Sequence, residues 1–261
     1  MGRTTVVLGL ASAAMDRGDR VLVVDADPSA GSTRALGVEP EGVVYGTWEV
    51  LANGQRGAAA EAIVSSGWDP SIELLPAREL DAGARGTDSP VAGCPVADFS
   101  VANCRSTFDR VLAGVRGRYE LILVDCPSGT GLTERVLAGS DLALVVTDAS
   151  DPTRAVLSVA DLIDSVWLEH NDRLDFAGLI VNRVSGRFPE SRHTYELLAR
   201  MVGRSSIWWP GVPDAWVLGA AQELQRPVHT FGTEAASVRG CFDLHYQKLR
   251  GQRSSASGRH G

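Results

Sequence analysis

The chain has 261 residues, 44% of them apolar and 22% charged, the make-up of a soluble globular protein long enough for one large core. Its 25 Lys and Arg against 32 Asp and Glu give a net charge of −7, which excludes a uniformly basic, DNA-coating surface and leaves only a local basic patch open. The longest apolar runs, such as residues 142–146, fall far short of the about 20 residues needed to span a bilayer.

The first predicted element is a helix over residues 5–17, rich in Ala and Val and stopped by Gly18. Gly2-Arg3-Thr4-Thr5 opens it. A phosphate-binding loop ends in Gly, then Lys, then Ser or Thr, where a helix begins. The free N–H groups and the positive dipole end hold phosphate, the Lys reaches the β- and γ-phosphates, and the hydroxyl takes Mg²⁺. Here Arg3 stands at the Lys position and Thr4 at the hydroxyl position. The same four residues also read as a plain helix N-cap.

A β-branched run over 21–24 leads into Asp25-Ala26-Asp27-Pro28. Two carboxylates thus leave the carboxyl end of a buried strand one residue apart, where doubly wound folds bind ligands. A surface turn accounts for Asp27-Pro28 equally well. A second strand is predicted over 72–75, closed by Pro76, and residues 81–95, rich in Gly, Ser, Pro and Ala, read as a flexible loop. The run 121–124 ends in Asp125-Cys126-Pro127. An apolar strand ending in Asp is the Walker B pattern, whose carboxylate holds the Mg²⁺ shell.

Strand 142–147 is followed by a helix over 153–168 with Val156, Val159, Ala160, Ile163, Val166 and Trp167 on one stripe. Strand 176–181 ends in Asn182-Arg183; an amide there hydrogen-bonds both edges of a purine base, or serves as a turn residue. A helix over 195–201, a strand over 206–208, and helices over 215–224 and 234–249 complete the pattern. The strands are continuous apolar runs, which suits burial on both faces. The expectation is α/β: a doubly wound, mostly parallel sheet flanked by helices, one domain over residues 1–250, with a disordered basic tail over 251–261.

Taken in order, these segments resemble the ParA/MinD family of deviant-Walker P-loop ATPases, of the SIMIBI type. Gly2-Arg3-Thr4-Thr5 is similar to the end of that family's Lys-Gly-Gly-Val-Gly-Lys-Thr-Thr loop. Asp25-Ala26-Asp27-Pro28 resembles its switch segment, and Asp125-Cys126-Pro127-Ser128 its Walker B strand end. Asn182-Arg183-Val184 resembles the adenine-side strand, and Val212-Pro213-Asp214 with Ala220-Ala221-Gln222 the C-terminal purine loop and helix. The resemblance implies that Gly2, Arg3, Thr4 and Thr5 hold ATP, with Thr4 on Mg²⁺ and Thr5 on the α-phosphate. It implies that Asp27 and Arg3 act in catalysis, Asp27 on the attacking water, that Asp25 and Asp125 sit at the Mg²⁺ shell, and that Asn182, Pro213 and Asp214 frame adenine. It further implies a homodimer on ATP binding, an activating partner of the ParB kind, and non-specific DNA binding through Arg239, Lys248, Arg250 and Arg253. Those four also read as a solvated helix face and tail.

The chain departs from that pattern in three places. The family's first strand and the Lys-Gly-Gly half of the loop are absent from the sequence, and because that strand is central, a buried hole and unpaired backbone on its neighbours are expected. Met1 aligns with the loop Val, and a GTG codon reads as Val within a gene and Met at a start, so the coding frame is expected to continue upstream. Arg3 replaces the loop lysine with a planar fork, so nucleotide binding should survive better than fast hydrolysis. Thr147-Asp148-Ala149-Ser150-Asp151-Pro152 stands where the family has an aromatic or apolar element.

The four cysteines, Cys94, Cys104, Cys126 and Cys241, have no zinc spacing and read as reduced packing residues. With no signal peptide and no apolar face in the tail for a membrane anchor, a cytoplasmic protein is expected, with association to the nucleoid left open. Three functions compete: an ATP-driven switch that partitions DNA or positions cargo, a degenerate non-hydrolysing scaffold, and a metal carrier or biotin-pathway synthetase of the wider superfamily.

Overall fold

The computed structural model of the protein describes residues 2–78, 103–127, 130–149, 152–185 and 190–257. In chain order, helix α1 (Arg3–Asp16) leads to strand β1 (Val21–Asp25), α2 (Gly31–Ala35), α3 (Thr47–Asn53), α4 (Ala59–Ala62), β2 (Val64–Ser65) and β3 (Ile72–Leu75). Then come α5 (Cys104–Val111), β4 (Leu121–Asp125), α6 (Thr130–Gly139), β5 (Leu142–Asp148), α7 (Pro152–Glu169) and β6 (Asp175–Asn182). The chain closes with α8 (Glu190–Val202), β7 (Ile207–Trp208), α9 (Trp216–Glu223), a 3-10 segment (Val228–Ala235) and α10 (Ala236–Ser257).

All ladders are parallel except the short antiparallel pairing of β2 on β3. Every residue of β1 is buried, and its side chains alternate between two cores. Val21 and Val23 face a layer built from α1, α9 and α10. Leu22 and Val24 face one built from α3, α5 and α6. This two-faced burial explains the continuous apolar runs and makes the domain the doubly wound α/β type expected from the sequence. Helix α1 is buried from Val6 through Ala14, so it has no polar stripe to orient it. It packs closely on α10: a β-carbon on Gly9 would run into the Phe242 ring.

Among the described residues the strands form two separate ladders. Strands run in the order β2-β3-β1-β4 in one part and β5-β6-β7 in the other. Between β4 and β5 lies a cleft of about 190 Å³, lined by Val6, Val7 and Leu10 of α1 and by the facing strands. Leu121, Ile122 and Val124 of β4 are only half-buried, unlike all of β1. A side chain on β4 lacks the lateral neighbour that a third strand supplies, so the hole expected from the sequence is present.

One expectation is overturned. Helix α10 does not end near residue 250 but continues to Ser257. Gly251 is tolerated mid-helix because the next residue is tied down: Gln252 Nε2 donates to the Ala177 carbonyl at 2.7 Å. Residues 258–261 and the expected loop over 81–95 lie outside the described residues. Cys104 and Cys241 are buried and Cys126 half-buried, all as free thiols. Burial pushes each thiol up to about 12, so they are inert packing groups, as expected. Cys94 falls outside the described residues. Among the described residues no helix is long and apolar enough to cross a membrane.

Candidate functional site

Strands β1 and β4 are parallel neighbours in register, with Asp25 opposite Asp125. Both carboxylates therefore emerge side by side at the carboxyl edge of the sheet, and both are fully buried. Their environments differ. The Asp25 Oδ2 accepts from the Thr33 N–H at 2.8 Å and the Thr33 hydroxyl at 2.7 Å, and its Oδ1 accepts from the Asp27 N–H at 3.1 Å. Burial, and then the neighbouring Asp125, raises the Asp25 carboxyl to about 7, against the pull of those hydrogen bonds. Asp125 Oδ2 accepts from the Ser32 hydroxyl at 2.6 Å. Its Oδ1 is buried with no hydrogen-bond partner among the described residues. Burial raises this carboxyl too, while the Ser32 and Thr4 hydroxyls and the Arg3 charge pull it back down.

Asp27 belongs to the same cluster, close enough to Asp125 to raise its pKa. Asp27 Oδ1 accepts the Ser29 N–H at 2.9 Å, which makes the tight turn that carries the chain into α2. The turn reading of Asp27-Pro28 is thus realised, at a position beside the other two acids.

The start of α1 faces these acids. Gly2 takes the left-handed conformation with φ 83°, and no side chain caps the helix. Gly2 is thus the N-cap, and the first-turn N–H groups receive no side-chain cap, an arrangement suited to an anion. Gly31 also approaches Thr4; a β-carbon there would lie 3.5 Å from the Thr4 hydroxyl oxygen.

Asn182, at the end of β6, is buried and packs against the α-carbon of Gly2. It also lines a pocket of about 320 Å³ with Thr5, Pro213, Asp214 and Trp216, within the size range of small-molecule sites. Three backbone bonds hold the 212–214 loop against the end of β6: Val212 N–H to Val181 O at 2.8 Å, Val184 N–H to Val212 O at 2.9 Å, and Asp214 N–H to Val184 O at 3.1 Å. Gln222 Nε2 on α9 donates to the Thr5 hydroxyl oxygen at 3.1 Å, joining this pocket to the first turn of α1.

The structure thus brings together Gly2, Arg3, Thr4, Thr5, Asp25, Asp27 and Asp125, and places Asn182, Pro213 and Asp214 beside them. Sequence reasoning missed Ser32, Thr33 and Trp216. The signal for the first two is the Gly31-Ser32-Thr33 start of a helix directly after an acidic turn. The basic residues at the C-terminal end are less available than expected. Arg250 pairs with Asp19 at 3.1 Å, and Lys248 lies over the Trp208 ring, 5.2 Å from its centroid. The side-chain nitrogen Nε of Arg239 is buried. Ser128, Ser150 and Asp151 and the side chain of Arg253 lie outside the described residues.

No group of three or more His, Cys, Asp or Glu among the described residues is arranged to hold a metal. What the site offers is oxygen only: one buried, unsatisfied carboxylate oxygen and hydroxyls beside an anion-binding helix start. That set fits Mg²⁺, which takes one or two carboxylates and completes its octahedron with phosphate and water.

A doubly wound sheet with acidic strand tips gathered at an uncapped helix start defines a P-loop NTPase-type protein. The family profile described as AAA domain (AAA_31) matches residues 1–176. The chain belongs to this family and, within it, to the ParA/MinD group of P-loop ATPases. It is 28% identical over 210 residues to the chromosome-partitioning ATPase Soj of Thermus thermophilus, covering 80% of this chain and 75% of Soj. An ATP complex of a Cyanothece McdA variant superposes with a TM-score of 0.77 at 16% identity, over 95% of this chain and 91% of McdA. Cobyrinic acid a,c-diamide synthase of Mycobacterium smegmatis with bound ADP and magnesium gives a TM-score of 0.68 at 24% identity, over 86% and 87% of the two chains. The chain spans 60% of the length of the first curated relatives it matches, uncharacterized proteins of Mycobacterium tuberculosis, at 28% identity over 209 residues and 78% of this chain.

Proposed function

We propose that the protein is a Mg-ATP-dependent switch of the partitioning type, in which bound nucleotide brings two copies together and hydrolysis releases them. The observation that carries this reading is the convergence of Asp25 and Asp125, in register on adjacent strands, on the uncapped first turn of α1. Soj, whose name states chromosome partitioning, and McdA with ATP support the direction of the reading.

In this reading the N–H groups of the first turn of α1 and the Arg3 guanidinium hold the phosphates. Asp125 Oδ1 and the Thr4 hydroxyl hold the cation, which neutralises phosphate charge when bound. Asp25, with both oxygens already accepting internal hydrogen bonds, fixes the Asp27 turn and completes the anionic shell. Asp27 orients the attacking water. Thr5, held by Gln222, meets the α-phosphate, and Asn182, Pro213 and Asp214 frame the base. A cytoplasmic location and an activating partner of the ParB kind follow from this reading. Non-specific DNA binding through the basic residues at the C-terminal end belongs to this reading, and affinity for DNA should fall steeply with added salt.

The test is calorimetry with Mg-ATP on the protein and on its Asp27→Ala variant, together with turnover. Binding by both, with turnover slowed in the variant, supports the switch. A second reading rests on Arg3, whose side chain lines the β4–β5 cleft and whose planar fork replaces an ammonium. That reading is a non-hydrolysing scaffold of the same fold. Binding without turnover in either protein selects it, and no nucleotide binding at all overturns the switch.

A further inference from the structure

We propose that Trp216 is the base-stacking residue of the pocket and supplies affinity for the base of a bound nucleotide; this deepens, and rests on, the nucleotide reading of the same site. Trp48 and Trp208 are buried, whereas Trp167 and Trp209 are exposed but line no part of this pocket. Trp216 is 66% exposed and lines the pocket, at the first residue of α9 and beside a loop fixed by three backbone hydrogen bonds. Exposure of an indole at a rigid position leaves a large apolar face in water, which a planar partner would cover.

The pocket supplies the rest of a nucleoside site. Its volume is about 320 Å³, and Trp216 lines it with Pro213, Asp214, Asn182 and Thr5. Pro213 adds an apolar, hydrogen-bond-free surface. Asp214 and Asn182 give acceptor and amide groups for the polar edge of a base. Thr5 marks the phosphate side, because it belongs to the first turn of α1 and is tied to α9 through Gln222. An aromatic residue, polar side chains and the first turn of α1 thus line one pocket, the groups that a base, its edge and its phosphates call for. Stacking on an aromatic side chain tolerates any base, since each has a π-face. The discriminating groups are then Asp214 and Asn182, while Trp216 contributes affinity for all bases.

The experiment uses three proteins, the intact chain and its Trp216→Ala and Trp216→Phe variants, and two probes, Mg-ATP and Mg-tripolyphosphate. The expected result is about tenfold weaker Mg-ATP binding in Trp216→Ala, near-complete retention in Trp216→Phe, and unchanged tripolyphosphate binding in all three. Mg-ATP should also quench tryptophan fluorescence in the intact chain, and Trp216→Phe should lose that quench while still binding. Equal Mg-ATP affinity in the intact chain and Trp216→Ala, or a quench that survives in Trp216→Phe, overturns the stacking role. Loss of tripolyphosphate binding along with Mg-ATP in Trp216→Ala also overturns it, by showing a general disturbance. If the intact chain binds neither probe, it is the nucleotide reading that fails.

Discussion

The α-carbon of Gly2 lies against the side-chain amide of Asn182, so closely that a β-carbon at Gly2 would overlap the amide nitrogen. Residues at opposite ends of the polypeptide thereby join the first turn of α1 to the carboxyl end of β6. Gly2 has two reasons to be glycine: its φ of 83° and this contact. Gly2→Ala should cost about 1 kcal/mol from the left-handed backbone alone, and more because Asn182 must turn away. Thermal unfolding should show a lowered midpoint, and titration with Mg-ATP should show weakened binding. A variant as stable as the parent would mean that the contact is not maintained in solution.

Asp125 predicts opposite signs for stability and ligand binding. Its carboxylate is buried with one unsatisfied oxygen, which is costly without a cation. Asp125→Asn should raise the thermal midpoint in chelator and abolish the further rise that Mg-ATP gives the parent. A midpoint that falls in chelator would show that the charge is already compensated.

Asp25 sets a pH dependence. Its folded value of about 7 lies above the ordinary 3.8, so the folded state binds the proton more tightly. The stability linked to this group is fully present below about 3.8 and is lost as pH rises through about 7. The difference amounts to roughly 4 kcal/mol across that window. His229 is shifted down by burial and opposes this trend at the acid end, so the comparison should be made with Asp25→Asn. The parent minus variant difference in unfolding free energy, measured in chelator, should decline from pH 4 to 8. A flat difference would remove Asp25 as the cause.

Ser12 predicts a purely structural effect. Its hydroxyl donates to His229 Nδ1 at 2.7 Å and accepts the His229 N–H at 3.2 Å, while His229 Nε2 donates to Asp243 at 3.3 Å. The three residues resemble a hydrolase triad, but Ser12 is fully buried and no substrate reaches it. They instead pin α1 to the 3-10 segment and α10. Ser12→Ala should cost about 1–3 kcal/mol in denaturant unfolding, because it strands buried polar groups. Nucleotide affinity should change little.

The strands and their acidic tips can be read from the sequence because both depend on local pattern: a short apolar run, then Asp. The strand ends at Asp25, Asp125 and Asn182 come from that pattern directly. Ser32 and Trp216 do not, because their importance depends on distant partners. Ser32 meets Asp125 across 93 positions; the helix start after the acidic turn marks the segment, but not which distant carboxylate its hydroxyl meets. Trp216 reads as one more apolar residue at the head of a helix, and only its exposure beside a pocket separates it from core aromatics. The end of α10 is misjudged for a similar reason, since Gln252 is held by Ala177, 75 positions away.

The divided sheet also has a mechanical consequence. Asp125 rides on one group of strands and Asn182 on the other, and no ladder fixes the span between them. Thr4 reaches toward the first and Gly2 toward the second, so the amino end of α1 touches both groups of strands. A ligand along that turn would touch both groups at once, so amide protons near Asp125 and Asn182 should exchange more slowly together when Mg-ATP is bound.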